Sequence, residues 1–420
     1  MGGFPRVGGV LHAEAVALPR VAEAVGTPVY VYSAETVRTN LARLRAALAG
    51  VPHAIHFAMK ANACRGILDV VREAGAGVDV VSGGELHRAR AAGFAPGQIL
   101  FGGVGKQAHE VHEALAGGIK LLNVESEEEL RLISRLAGEL GVVAPVGIRV
   151  NPEVDVANAH RFIATGEKGH KFGVPIGEAE AVGRLALSLP HLALVGLDMH
   201  VGSQLLSFEA YTHGADRLVA LGQALQRAGA ALRYLDVGGG LPVRYQAEAA
   251  PDLAAYAGIV GAAAATLGVE LLLEPGRFVV ADAGVLLTRV LYRKGNGGRT
   301  TLVCDAGMTE LVRPSRYDAY HAIEPVGEAA GHEVADVVGP VCETGDFLAL
   351  KRDLPVVEAG ALLAVHTAGA YGSVMGSRYN ARPLAPEVVV DGARWAVVTA
   401  RETYADLVRQ DVVTPAWRQA

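Results

Sequence analysis

The chain has 420 residues, of which 51% are hydrophobic and 20% charged, with 52 glycines. That is long enough for two domains around a large core, and the composition excludes a disordered chain. A net charge of -6 with no basic block argues against a nucleic-acid partner, and three scattered cysteines (Cys64, Cys304, Cys342) exclude a disulfide framework.

The N-terminus carries no apolar stretch of signal-peptide type, and no uninterrupted apolar run is long enough to cross a bilayer. A cytoplasmic protein without a membrane partner is the expectation. From about Thr27 to Glu274, strand-like and helix-like segments alternate. The strand candidates are His53–Met59, Val78–Val81, Ile99–Phe101, Lys120–Val124, Val146–Val150, Leu194–His200, Tyr234–Val237 and Val269–Leu273. Ala- and Leu-rich stretches of helical spacing lie between them, Glu127–Leu140 and Phe208–Ala228 among them. Repeated βα units imply a parallel sheet, and eight of them in this length imply a closed (β/α)₈ TIM-like barrel. No GxGxxG follows the first strand, so a dinucleotide-binding sheet has no support.

After Glu274 the texture changes to short Val-rich runs separated by Gly, Pro and charged turns. These are Phe278–Ala281, Leu286–Tyr292, Thr301–Cys304, Val334–Val338, Ala361–His366, Val388–Val390 and Trp395–Thr399. They predict a second, mostly-β domain, a sandwich or small barrel. The fold class is therefore α/β plus β, with a barrel over residues 27–274 and a β domain over 275–420. Residues 1–26 are expected to join the β domain, with Gly8–Val10 and Val29–Tyr32 as segments that could return to pair with it.

In such a barrel, chemistry sits at the C-terminal ends of the strands. Those ends read Lys60; Ser82-Gly83-Gly84-Glu85; Asn151; His200-Val201-Gly202-Ser203-Gln204; Gly238-Gly239-Gly240; and Glu274-Pro275-Gly276-Arg277. Each has a bland reading. Lys60 could be a solvated strand end, His200 a satisfied core histidine, the three glycines a tight turn, and Glu274 with Arg277 a surface pair. Their shared placement at one mouth is what points to chemistry. A partly desolvated amine can form a Schiff base with an aldehyde. A glycine run before a helix lets backbone amides approach a phosphate. A carboxylate can keep a pyridine nitrogen protonated, and an imidazole can lie flat on the ring. Together these suit pyridoxal phosphate.

The motifs FAMKAN, SGGEL (Ser82–Leu86), HVGSQ, DVGGG (Asp236–Gly240) and EPGR occur in order in the first part of the chain. A TGxxxxKFG stretch spans Thr165–Gly173, and RPSRYDAYH (Arg313–His321), GPVCETGD (Gly339–Asp346), GAYG (Gly369–Gly372) and SRYNARP (Ser377–Pro383) follow. By these the chain resembles the diaminopimelate decarboxylases, within the barrel-type PLP decarboxylases that include ornithine and arginine decarboxylases. Phe57 stands where that family often has Tyr, and Thr344 where Ser is common.

The resemblance implies decarboxylation of meso-2,6-diaminopimelate to L-lysine and CO₂, the last step of lysine biosynthesis. Lys60 would carry the cofactor, His200 would stack on its ring, and Glu274 would face its nitrogen. Ser203, Gly238–Gly240, the Pro275-Gly276-Arg277 turn and Tyr371 would complete the cofactor site. Arg277, Arg313, Tyr317 and Tyr371 would hold the substrate, with Glu343 on its distal ammonium, and Cys342 would return a proton. No metal is expected. The resemblance also implies a homodimer whose Cys342 and Glu343 reach the other subunit's cofactor. Read as chemistry alone, an arginine fork suits a carboxylate, while Arg313, Tyr317 and Cys342 taken singly could be surface or packing residues. The alternatives are an ornithine, lysine or arginine decarboxylase, an amino-acid racemase, and a non-catalytic PLP-binding relative. A racemase would want the ring nitrogen unprotonated, which Glu274 opposes.

Overall fold

A computed structural model describes residues 3–154 and 170–414. The chain divides into two compact units, one of residues 34–283 and the other of residues 1–33 with 284–420. In the first unit all eight expected strands form: β1 His53–Ala58, β2 Gly77–Val80, β3 Ile99–Phe101, β4 Leu121–Val124, β5 Ala144–Asn151, β6 Leu192–Met199, β7 Tyr234–Asp236 and β8 Glu270–Leu273. Each is parallel to its neighbours, and the register Leu271↔His53 between β8 and β1 closes the ring. A short extra strand, Val174–Pro175, runs alongside β5.

Local sequence explains the alternation. The strands are short Val/Leu/Ile runs buried almost throughout, as expected when helices cover the sheet. Helices start at side-chain caps: Ser82 accepts the Glu85 N–H before Gly83–Ala91, and Ser126 accepts the Glu129 N–H before Glu127–Leu140. Gly141 and Gly268 end Glu127–Leu140 and Leu253–Leu267 in the left-handed conformation. Inside the barrel floor, Leu100, Leu121, Val195 and Leu272 pack together, with Ala54 and Tyr234 against them. This apolar plug closes the bottom and leaves function to the upper mouth.

The second unit is mostly β. Its sheet runs, in order, Phe347–Leu354, Glu333–Val338, Arg299–Cys304, Gly284–Asn296, Val29–Ser33, Glu387–Asp391 and Arg394–Thr399. Val29–Ser33 sits centrally, antiparallel to Gly284–Asn296 (Leu286↔Tyr30) and parallel to Glu387–Asp391 (Glu387↔Tyr30). Val29–Tyr32 thus returns to pair with the β domain, as its sequence allowed, although the barrel range 27–274 had included it, and the strand's five residues are buried on both faces. Gly8–Val10 does not join this sheet. Gly8 and Gly9 make the turn between two short strands, Arg6–Val7 and Val10–Ala13, and Leu11 donates to the Val326 carbonyl. Phe278–Ala281, expected as a strand, is instead largely a turn of helix, Arg277–Val280, in the barrel unit. An apolar run this short has no readable period, and full burial suits either form. Among the described residues, no helix is long and apolar enough to cross a membrane.

Candidate active site

Lys60 lies in a single tight turn, Met59–Ala61, directly after β1. Its flanking residues are buried, whereas its own side chain is 37% exposed and aimed at Asp79 on β2. The Nζ donates to Asp79 Oδ2 over 2.8 Å. Asp79 is a buried carboxylate whose other oxygen, Oδ1, has no hydrogen-bond partner. Such a group is costly unless a ligand or water completes it.

Lys60, Asp79, Arg149, Asp198, His200 and Glu274 line one cavity of about 330 Å³, with Gly102–Gly105 and Phe172 forming other parts of the wall. Arg149 pairs with Glu125 at 3.0 Å and reaches toward Asp198 at 3.8 Å. The Phe172 ring lies 5.1 Å from its guanidinium. Gly173 then donates its N–H to Glu125. Of the TGxxxxKFG stretch, residues 165–169 lie outside the described residues.

Acids outnumber bases here. The carboxylate oxygens of Asp198, Asp236 and Glu274 lie within 4.8 Å of one another, all buried. Burial pushes Glu274 well above the ordinary carboxylate range, and the charges of Asp236, Asp79 and Asp198 push it further while Lys60 pulls it back. Asp236 is pushed up to about 6 by burial, and Asp198 rises through burial and the charge of Asp236, despite Arg149. Burial and mutual repulsion favour the neutral forms of these acids, and Arg149 and Lys60 offset this only in part. A cationic ring nitrogen beside Glu274 would relieve that excess.

His200 follows β6 with part of its ring open to the cavity. Its Nδ1 accepts the Gly239 N–H at 3.1 Å, so in the neutral ring the proton sits on Nε2. Loss of water first, then the nearby Arg149 and Lys60 charges, hold the ring's pKa well below the usual histidine value. A neutral, flat ring is suited to stacking.

The glycine run is required by space. A Cβ on Gly239 would stand 2.4 Å from the Glu274 carbonyl, and one on Gly238 would stand 2.6 Å from the Met199 carbonyl. Two of its amides are already committed, Gly238 to Asp236 Oδ1 and Gly239 to His200. The run thus orients those two side chains in addition to any role facing an anion. Gly276 fits tightly over the first strand's end, where a Cβ would come within 2.9 Å of Ala61, and Ala58 donates to the Pro275 carbonyl. Arg277 bridges Ser203 Oγ (3.2 Å from Nη2) and Tyr245 Oη (2.8 Å from Nη1).

The remaining expected residues belong to the β unit. Arg313 is buried and opens the helix Arg313–Tyr317. Tyr317 Oη accepts from Arg316 Nε at 3.2 Å. Cys342 and Glu343 are exposed on a loop built around Asp346, whose carboxylate takes the Val341 and Met308 amides. Ser315 Oγ donates to the Gly345 carbonyl at 2.5 Å, tying this loop to the Arg313 helix. Cys342 N–H donates to Asn380, and the Glu343 charge raises the pKa of the Tyr379 phenol that bonds it. Tyr371 adopts φ 55°, in the left-handed region.

Asp79, Arg149, Asp198, Asp236 and Tyr245 were not among the residues expected from sequence. The available signal for the three aspartates was a charge between apolar neighbours in Val78-Asp79-Val80, Leu197-Asp198-Met199 and Leu235-Asp236-Val237. An inward charge in a buried strand is rarely structural alone.

Residues 34–281 match the family model for the pyridoxal-dependent decarboxylase, pyridoxal binding domain. The diaminopimelate decarboxylase of Pseudomonas aeruginosa is 47% identical, over 96% of this chain and 97% of that protein. The crystal structure of diaminopimelate decarboxylase from Helicobacter pylori complexed with L-lysine is 38% identical with TM-score 0.90, covering 93% of this chain and 98% of that one. The M. jannaschii enzyme complexed with L-lysine has TM-score 0.93 at 32% identity, covering 99% and 98%. The carboxylate-rich barrel mouth, with its lysine, is what a pyridoxal-binding domain requires, and the chain belongs to the diaminopimelate decarboxylase family of pyridoxal-dependent decarboxylases.

Proposed function

We propose that this protein uses pyridoxal phosphate to decarboxylate meso-2,6-diaminopimelate to L-lysine and CO₂, the reaction that ends lysine biosynthesis. The observation that carries the proposal is the convergence of Lys60, His200 and Glu274 on one cavity at the barrel mouth. Lys60 would hold the cofactor's aldehyde carbon, Glu274 its ring nitrogen, and His200 its face. The Ser203–Arg277–Tyr245 cluster and the glycine run would hold the phosphate end. When bound, the cofactor supplies an electron sink for the bond to the departing carboxylate.

The chain's own residues do the rest. Asp79 holds the Lys60 amine in place at 2.8 Å. Burial and its acidic neighbours favour the neutral form of Glu274, and a cationic ring nitrogen beside it would favour the carboxylate, so that each would hold the other's charge. Arg313 and Tyr317 would bind the distal carboxylate and Glu343 the distal ammonium, orienting the substrate's reacting end. Cys342 Sγ then delivers a proton to the carbon that lost CO₂. A cytoplasmic setting suits three cysteines that form no disulfide.

The purified protein should be offered meso-diaminopimelate, lysine, ornithine and arginine, with and without pyridoxal phosphate, while CO₂ and lysine are measured. Turnover of diaminopimelate alone, dependent on the cofactor, is expected. Equal turnover of ornithine or lysine would refute the substrate assignment.

The exposed Cys342–Glu343 loop supports a homodimer in which each subunit completes the other's site. A two-fold interface would do this for both sites at once. Mixing inactive Lys60→Ala protein with inactive Cys342→Ala protein should then restore activity. If half the dimers are mixed and each holds one intact site, about a quarter of wild-type activity is expected. Proven subunit exchange with no recovery would place Cys342 outside the shared site.

A further inference from the structure

The motif RPSRYDAYH ends in His321, to which the proposed mechanism gives no task. His321 is fully buried, between the Arg313–Tyr317 helix and the strand Ile323–Pro325. Its Nδ1 lies 2.8 Å from the His366 carbonyl oxygen, and its Nε2 lies 3.0 Å from Arg313 Nη1. A carbonyl only accepts, so Nδ1 carries the proton. An arginine only donates, so Nε2 offers its lone pair. Both contacts select the same neutral tautomer.

We propose that His321 is a positioning residue for Arg313, its neutral ring taking one guanidinium N–H so that the fork is set for the substrate's distal carboxylate. The inference rests on the reading of Arg313 as the receptor for that carboxylate. The ring's own placement is fixed from several directions. Arg352 Nη1 donates to the His321 carbonyl at 2.6 Å, with the guanidinium carbon 3.9 Å from the Tyr320 ring centroid, and the His366 N–H donates to the Ala322 carbonyl. The next residues pair in register, Ile323↔Val365.

A neutral acceptor is the suitable choice at this point. A carboxylate at the same place would orient the guanidinium equally well, but it would also neutralise the charge and compete with the ligand. An imidazole lone pair aligns the fork and leaves its full positive charge available. Because Arg313 is itself buried, a misdirected fork could not be replaced cheaply by water.

The test compares His321→Gln, His321→Asn and His321→Phe. A glutamine oxygen can reach toward the Nε2 position and accept from Arg313. Asparagine ends near the Nδ1 position and can keep only the His366 contact, and phenylalanine keeps the ring shape without either. With Asn and Phe, KM for meso-diaminopimelate should rise about 10- to 100-fold, the range of a lost hydrogen bond to a charged group. The kcat should change less than KM, and the cofactor's absorbance and stoichiometry should not change. Gln should recover most of the loss.

In an Arg313→Met background, His321→Asn should add little further effect, because the group it positions is gone. Should Phe fail to fold, the Gln–Asn contrast decides alone. Equal losses in Gln and Asn, or losses in cofactor content and kcat together, would mean a structural role and overturn the proposal. A normal KM in His321→Asn would overturn it as well. If Arg313→Met itself left KM unchanged, the receptor reading would fail instead, so the two failures are distinguishable.

Discussion

Replacing Lys60 by alanine should abolish nearly all turnover while some cofactor still binds through its phosphate end. The loss should reach about 10²- to 10⁴-fold or more, the range for removing a positioned proton-transferring group. Lys60 sits just after β1, on the same cavity as Glu274 and His200, where the proposed role places the cofactor. The substitution also strips the ammonium from Asp79, which is 1% exposed. A buried carboxylate left without its cation destabilises the fold. The single variant should therefore melt below wild type, and Lys60→Ala with Asp79→Asn should melt higher than Lys60→Ala alone. Melting curves and steady-state turnover check both parts. Retention of more than a tenth of wild-type turnover by Lys60→Ala would contradict the role given to it.

The second large effect concerns substrate choice. Wild-type protein should prefer meso-diaminopimelate over lysine by roughly 10⁴-fold or more, because a site built for a distal amino-acid group leaves its own buried polar atoms unpaired without it. Arg313 is such an atom set: a buried guanidinium held by His321. Arg313→Met keeps much of the side chain's length and loses the charge. Diaminopimelate turnover should fall far more than cofactor occupancy, since besides its bond to His321 the proposed contact of Arg313 is to substrate. Preference ratios measured from kcat/KM for both amino acids, alongside cofactor absorbance, separate the two. An unchanged preference in Arg313→Met would remove the basis for the substrate assignment while leaving the barrel and cofactor untouched.

The barrel was legible because its strands are short apolar runs at regular spacing, and all eight form. Its mouth was legible because Lys60, His200 and Glu274 each lie within two residues of a strand's end. What stayed hidden was hidden for physical reasons. Asp79 and Asp198 sit one step inside their strands, so a reading of strand ends passes over them, and Asp236 ends a strand that the sequence reading had extended to Val237. Tyr245 comes to Arg277 only through the fold, 32 positions apart in sequence. Phe278–Ala281 reads as a strand because four buried apolar residues show no period. Val29–Ser33 was named as a segment that could pair with the β domain, but its partners, which begin at Gly284, leave no local mark and came only from the fold. His321 stood in a recognised motif, yet its meaning came only from two distances that fix where its proton lies.

The most direct test of the account is chemical trapping at Lys60. The protein purified with pyridoxal phosphate should be yellow, and borohydride should bleach it by fixing the cofactor on its lysine. Digestion and mass spectrometry should then find the pyridoxyl group on the peptide carrying Phe57-Ala58-Met59-Lys60-Ala61-Asn62. Label on any other lysine, or none at all, would contradict the assignment of the barrel mouth.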